Sequence, residues 1–114
     1  IHRATVTDAN LNYIGSVSLC PELMKAADIL ENEVVQVVNC NNGTRLTTYA
    51  IVGRPQEVTL NGAAARLTQP GDIVLILTYC TLSETEIAQH TPRVIHVDAD
   101  NKKIHLATEV PVEA

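Results

Sequence analysis

The apolar residues of this chain fall in short β-branched runs separated by turn-forming residues. That pattern predicts strands at Arg3–Thr7, Asn12–Leu19, Glu33–Asn39, Arg45–Val52, Glu57–Leu60, Asp72–Tyr79, Arg93–Val97 and Lys103–Ala107. Eight short strands in 114 residues suggest a barrel. Two helices interrupt them. Pro21 suits a first helical position, and Leu23, Ala27 and Leu30 form one apolar stripe, so a helix is expected over Pro21–Leu30. Ser83 and Glu86 have the spacing of a capping box, which starts a second helix at Glu84 and carries it to Gln89, before Pro92. Turns are expected at Asn41-Asn42-Gly43, Gly53-Arg54-Pro55, Pro70-Gly71-Asp72 and Ala99-Asp100-Asn101. Asn61-Gly62-Ala63-Ala64-Ala65 differs from these. Asn-Gly opens a tight turn, and the small residues after it leave backbone N–H groups uncovered, as a loop facing a ligand would; a short helical turn between strands fits the same residues.

Composition agrees with a mainly β fold, because Val, Ile and Thr are abundant while Phe and Trp are absent. With 46% hydrophobic and 18% charged residues, no internal repeat and no Ser/Gly linker, the chain reads as a single domain, residues 1–114. A net charge of -5 provides no basic excess to neutralise phosphates, so nucleic acid is not an expected partner. The apolar stretch Ile73–Leu77 is too short to span a bilayer, and the start of the sequence has no secretory signal, so a soluble cytoplasmic protein is expected. Cys20, Cys40 and Cys80 form no CxxC pair and suggest neither a zinc site nor a disulfide framework.

The candidate chemistry lies in a few polar positions. Gly15-Ser16 interrupts a β-rich run. A glycine there marks a bulge or kink, or else allows the Ser16 hydroxyl to attack the Gly15 carbonyl, a reaction that needs a distorted peptide and a donor for the oxyanion. In Arg45-Leu46-Thr47-Thr48-Tyr49, strand alternation puts Arg45, Thr47 and Tyr49 on one face and Leu46 and Thr48 on the other. Arg45 has two N–H groups to match the two oxygens of a carboxylate, and Tyr49 can donate a proton. A solvated strand end and a packed ring are the plainer readings of the same two residues. His2, His90, His96 and His105 show no HxH or HxxxH spacing, so no metal is expected. GxSxG, GxGxxG and Walker motifs are absent. Glu84 and Glu86 read as a solvated face at a helix N-terminus.

Several blocks occur together in order: Ile1-His2-Arg3-Ala4-Thr5-Val6-Thr7, Asn12-Tyr13-Ile14-Gly15-Ser16, Asn42-Gly43, Arg45 with Thr47-Thr48-Tyr49-Ala50, and Asn61-Gly62-Ala63-Ala64-Ala65 followed by Gly71-Asp72. Over nearly the whole chain they resemble the pyruvoyl-dependent aspartate 1-decarboxylases. The resemblance implies a double-psi β-barrel, a homotetramer with sites between subunits, and a covalent pyruvoyl group derived from Ser16. It also implies self-cleavage of a zymogen between Gly15 and Ser16, with Asn61 near the cleavage site. The pyruvoyl ketone would form a Schiff base with L-aspartate and accept the electrons released with CO2, yielding β-alanine for pantothenate and coenzyme A synthesis.

In the same resemblance Arg45 binds a substrate carboxylate, Thr48 is a substrate-binding position and Tyr49 protonates the carbanion. Gly62, Ala63 and Ala64 match the loop that contacts substrate. Because Thr48 and Tyr49 should face opposite ways, a bend or a subunit boundary is expected there. The family has a lysine just before its Ile-His-Arg block, where this sequence starts at Ile1. A non-catalytic barrel serving as a binding module is the alternative, but such a scaffold has no need of Ser16, Arg45, Tyr49 and the Asn61 loop together.

Overall fold

The two edges of the main sheet are supplied by one short segment of chain, and this closes the sheet on itself. The computed structural model describes residues 1–107, so residues 108–114 of the expected domain lie outside the described residues. Strand β1 (Ala4–Thr5) and strand β2 (Asp8–Asn10) stand at opposite ends of the strand order β1-β7-β4-β5-β3-β6-β2. Only Val6 and Thr7 separate them in sequence. The Val6 N–H donates to the Asp72 carbonyl beside β7 (Ile73–Leu77), and the Thr7 N–H donates to Val58 in β6 (Val58–Asn61). The seven strands are therefore curled into a small double-psi β-barrel.

The remaining barrel strands are β3 (Ser16–Leu19), β4 (Val34–Asn39) and β5 (Arg45–Val52). β3 runs parallel to β5 and antiparallel to β6, while β4 is antiparallel to both β5 and β7. A separate antiparallel pair, β8 (Val94–Val97) and β9 (Lys103–Ala107), completes the strands among the described residues. Period-2 alternation sends Val17, Leu19, Val35, Val37, Val58, Leu60, Val74 and Ile76 inward, where they form one core with Leu23, Met24 and Ile95. Fully burying each such aliphatic side chain contributes about 1.5–3 kcal/mol, and this sets the sheet's register.

Several element boundaries differ from the sequence pattern. The expected strand Asn12–Leu19 begins only at Ser16, because residues 11–15 form an exposed loop in which Asn10 Oδ1 accepts from the Asn12 N–H at 3.0 Å. Arg3–Thr7 shrinks to Ala4–Thr5, since the chain must leave β7 for β6 within two residues, and β2 forms where no strand was expected. Helix α1 (Pro21–Ala27) stops before Leu30 because Asp28 adopts the left-handed conformation at φ 57°. Leu30 is consequently exposed, and Leu23 and Met24 carry the buried face. Helix α2 (Glu84–Ile87) starts as expected, with both hydrogen bonds of the Ser83/Glu86 capping box present. The turns at Gly43 and Gly71 have the positive φ that favours glycine.

Candidate active site

β3 and β6 pair with Ser16 opposite Asn61 and Val17 opposite Leu60. The alternation that sends Val17 and Leu60 into the core turns Ser16, Ser18, Thr59 and Asn61 to the other face. That face is covered too: Ser16 is 0% exposed, Asn61 3% and Ser18 8%. Buried polar groups require partners, and these supply one another. Asn61 Nδ2 donates to Ser16 Oγ and to Ser18 Oγ, each at 2.9 Å, and Ser16 Oγ donates to the Ile14 carbonyl at 3.2 Å.

Asn61 also stands at the N-cap of a 3-10 turn, Gly62–Leu67, in the extended backbone conformation typical of a cap. Its side chain makes no cap bond there, being committed to the two serines. The segment is thus the short helical turn of the two readings, and the Asn61 side chain leaves its first N–H groups uncapped. Gly62 and Ala65 are buried, Ala63 is exposed and Ala64 lies between.

The boundary between exposed and buried chain falls at the Gly15–Ser16 bond, with residues 11–15 exposed and 16–20 buried. Gly15 lies just outside β3 rather than within a strand, and its φ is not positive. A Cβ placed on Gly15 would meet nothing within 4 Å, leaving one side of this residue open. The glycine demanded by backbone geometry is Gly62, at φ +66°, where a Cβ would lie 2.7 Å from Gly15 Cα.

Val17 pairs with Ala50 across the parallel β3–β5 ladder, so Tyr49 stands beside Ser16 at the next position, on the same non-core face. Arg45 shares that face but is four residues away, roughly 13 Å at the rise of an extended strand. Arg45 Nη1 donates to Gln36 Oε1 at 3.0 Å, and the Tyr79 hydroxyl donates to the same oxygen at 2.7 Å. Thr48 pairs with the core residue Val35 and shares the face of Leu46 and Ala50. β4 and β5 pair in unbroken register from Val34↔Tyr49 to Val38↔Arg45, so of the bend or subunit boundary that would bring Thr48 and Tyr49 to one site, no bulge supplies the bend.

One chain thus gathers Gly15, Ser16, Asn61, Gly62 and Tyr49, and leaves Arg45 apart. A cleft of about 770 Å³ lies elsewhere, lined by residues that include Ile1, His2, Asp28, Leu77, Tyr79 and Arg93 but none of the expected site residues. The sequence reading passed over Ser18 and Gln36. Ser18 was legible from its spacing of two residues from Ser16; Gln36 required the β4–β5 register.

The profile of the aspartate decarboxylase family matches residues 1–104. The chain belongs to the aspartate decarboxylase family. It is 58% identical to the aspartate 1-decarboxylase of Bdellovibrio bacteriovorus over 102 residues, covering 90% of this chain and 82% of that protein. The aspartate 1-decarboxylase of Caldicellulosiruptor bescii is 57% identical over 109 residues, covering 94% of this chain and 85% of the relative. That of Caldicellulosiruptor saccharolyticus is 56% identical over 111 residues, covering 96% and 87%. Family membership makes the chain a carboxy-lyase. As an aspartate decarboxylase it needs an electron sink for the carbanion left by CO2, and ordinary side chains provide none. Among the described residues no cluster of three or more His, Cys, Asp or Glu could hold a metal ion. No described helix is long and apolar enough to cross a membrane.

Proposed function

We propose that this chain, as one domain over residues 1–114, decarboxylates L-aspartate at its α-carbon to β-alanine and CO2, using a pyruvoyl group made from its own Ser16. The step belongs to pantothenate biosynthesis. The observation that carries this reading is the buried Asn61 Nδ2–H directed at Ser16 Oγ, 2.9 Å away, next to the open Gly15.

The chemistry follows from those atoms. Ser16 Oγ adds to the Gly15 carbonyl carbon, and the Gly15–Ser16 C–N bond breaks as an ester forms and the nitrogen takes up a proton. The Asn61 N–H favours negative charge on Oγ as the hydroxyl proton departs. Loss of the Ser16 Cα proton and cleavage of its Cβ–O bond then release residues 1–15 with a C-terminal carboxylate. Water replaces nitrogen at the former Ser16 Cα, ammonia leaves, and a ketone remains at the head of residues 16–114.

The surrounding residues fit such a group, because Asn61 offers a donor on the buried side of position 16. When formed, the ketone and its adjoining amide carbonyl supply the electron sink. Arg45 holds a substrate carboxylate through its forked N–H pair, and Tyr49 delivers a proton to the carbon vacated by CO2. Gly62, Ala63 and Ala64 line the substrate, and Thr48, on the opposite face of β5 from Tyr49, lines it across a subunit boundary. Arg45 stands four residues along β5 from the position beside Ser16 and is turned to Gln36, which supports a homotetramer with sites between subunits, the Arg45 of one copy facing the Ser16 of another. The three cysteines are free, in keeping with the reducing cytoplasm as its compartment.

Intact-mass analysis tests the reading. Mature protein should contain residues 1–15 and residues 16–114, the longer piece lighter than a serine-ended chain by about one ammonia. Ser16→Ala should remain one folded chain. A fully active preparation containing only uncut chain would overturn the proposal.

A further inference from the structure

We infer that Ser18 is a positioning residue for the self-cleavage, holding the Asn61 carboxamide so that its N–H, and not its oxygen, faces Ser16. This rests on the reading of Ser16 as the processed serine. Ser16 and Ser18 are two residues apart on β3 and project from one face, with Asn61 opposite Ser16 and Thr59 opposite Ser18. The Asn61 side chain leans along the ladder and reaches both hydroxyl oxygens at 2.9 Å. Thr59 does not compete for Ser18, because its own hydroxyl donates to Glu57 Oε2 at 2.7 Å.

A primary amide has two N–H groups in one plane, and the last torsion of an asparagine is intrinsically broad. Engaging both N–H groups fixes that plane. The Ser16 hydroxyl hydrogen is directed to the Ile14 carbonyl, so an oxygen lone pair is left to receive Asn61. Without the Ser18 hydroxyl one Asn61 N–H loses its partner at a position only 3% exposed, and the carboxamide is free to turn its oxygen toward Ser16. An amide oxygen there opposes negative charge on Oγ, whereas an N–H favours it. The hydroxyl of Ser18 survives cleavage and the hydroxyl of Ser16 does not, so Ser18 also keeps Asn61 oriented once the ketone has formed.

The test follows cleavage of freshly made full-length chain by intact mass for the parent, Ser18→Ala, Ser18→Thr, Asn61→Ala and the Ser18→Ala/Asn61→Ala double variant. Loss of one buried hydrogen bond should slow Ser18→Ala by about tenfold. Ser18→Thr, which retains the hydroxyl, should cleave at nearly the parent rate. The double variant should be no slower than Asn61→Ala alone, because Ser18 acts through Asn61. The inference is overturned if Ser18→Ala cleaves as fast as the parent, if Ser18→Thr is as slow as Ser18→Ala, or if the two single effects multiply in the double variant. A parent chain that is never cut at Gly15–Ser16 would instead remove the underlying reading.

Discussion

Gly62 packs its backbone against Gly15 so closely that a Cβ on Gly62 would lie 2.7 Å from Gly15 Cα and 2.8 Å from its nitrogen. The two residues belong to separate segments, the loop before β3 and the turn after β6, and their contact fixes the Gly15–Ser16 peptide against Asn61. Gly62→Ala would therefore act twice, by straining a residue at φ +66° and by pushing the Gly15 backbone away. A loss of about 1–3 kcal/mol in urea unfolding is expected. Cleavage in the same variant should be slowed further than its stability loss explains, as intact mass against time would reveal.

Arg45 should govern substrate affinity. Removing a charge-assisted, forked contact to a carboxylate costs roughly 2–5 kcal/mol, so Arg45→Ala in fully processed protein should lower kcat/KM for aspartate at least tenfold. Arg45→Lys should restore only part of this, since a point charge cannot reproduce the fork. Steady-state β-alanine formation measures both. An Arg45→Ala enzyme as efficient as the parent would return Arg45 to a solvated strand end held by Gln36.

Tyr49→Phe should separate binding from turnover. Its ring remains beside Ser16 on β5, so self-cleavage and aspartate affinity should persist while kcat falls, because only the proton donor is gone. Unchanged kcat, with the pyruvoyl content verified by mass, would exclude Tyr49 as that donor.

The pH dependence of stability should include a contribution from His2. Its imidazole meets His96 edge-on, with ring centroids 5.2 Å apart. Burial, and then the nearby His96 and Arg3, lower its pKa from the ordinary value of 6.5. A base whose folded pKa is depressed stabilises the fold fully above its unfolded pKa and loses that contribution as pH falls. In an uncut Ser16→Ala background, lowering the pH from about 7.5 to 5.5 should reduce the urea midpoint more with His2 present than in His2→Gln. Equal reductions in the two would show that His2 contributes nothing.

The sequence by itself determined the mainly β character, the place of most strands and the candidate chemistry. Alternating β-branched residues can bury one face only as strands, and the Ser83/Glu86 spacing starts its helix with local bonds alone. Which residues meet was decided by the tertiary structure. Asn61 and Ser16 are 45 positions apart, and an N-cap Asn ordinarily turns to its own helix; only the antiparallel β3–β6 register brings Ser16 and Ser18 within its reach. The late start of β3 at Ser16, the shortening of the first strand to Ala4–Thr5 and the early end of α1 at Asp28 likewise follow from where the chain must cross between sheet edges or turn back, which local propensity does not encode. The separation of Arg45 from Ser16 has the same origin. Strand alternation puts Arg45 and Tyr49 on one face, but the rise of β5 and its pairing with β3 set how far apart they stand, and so whether one chain can complete the site.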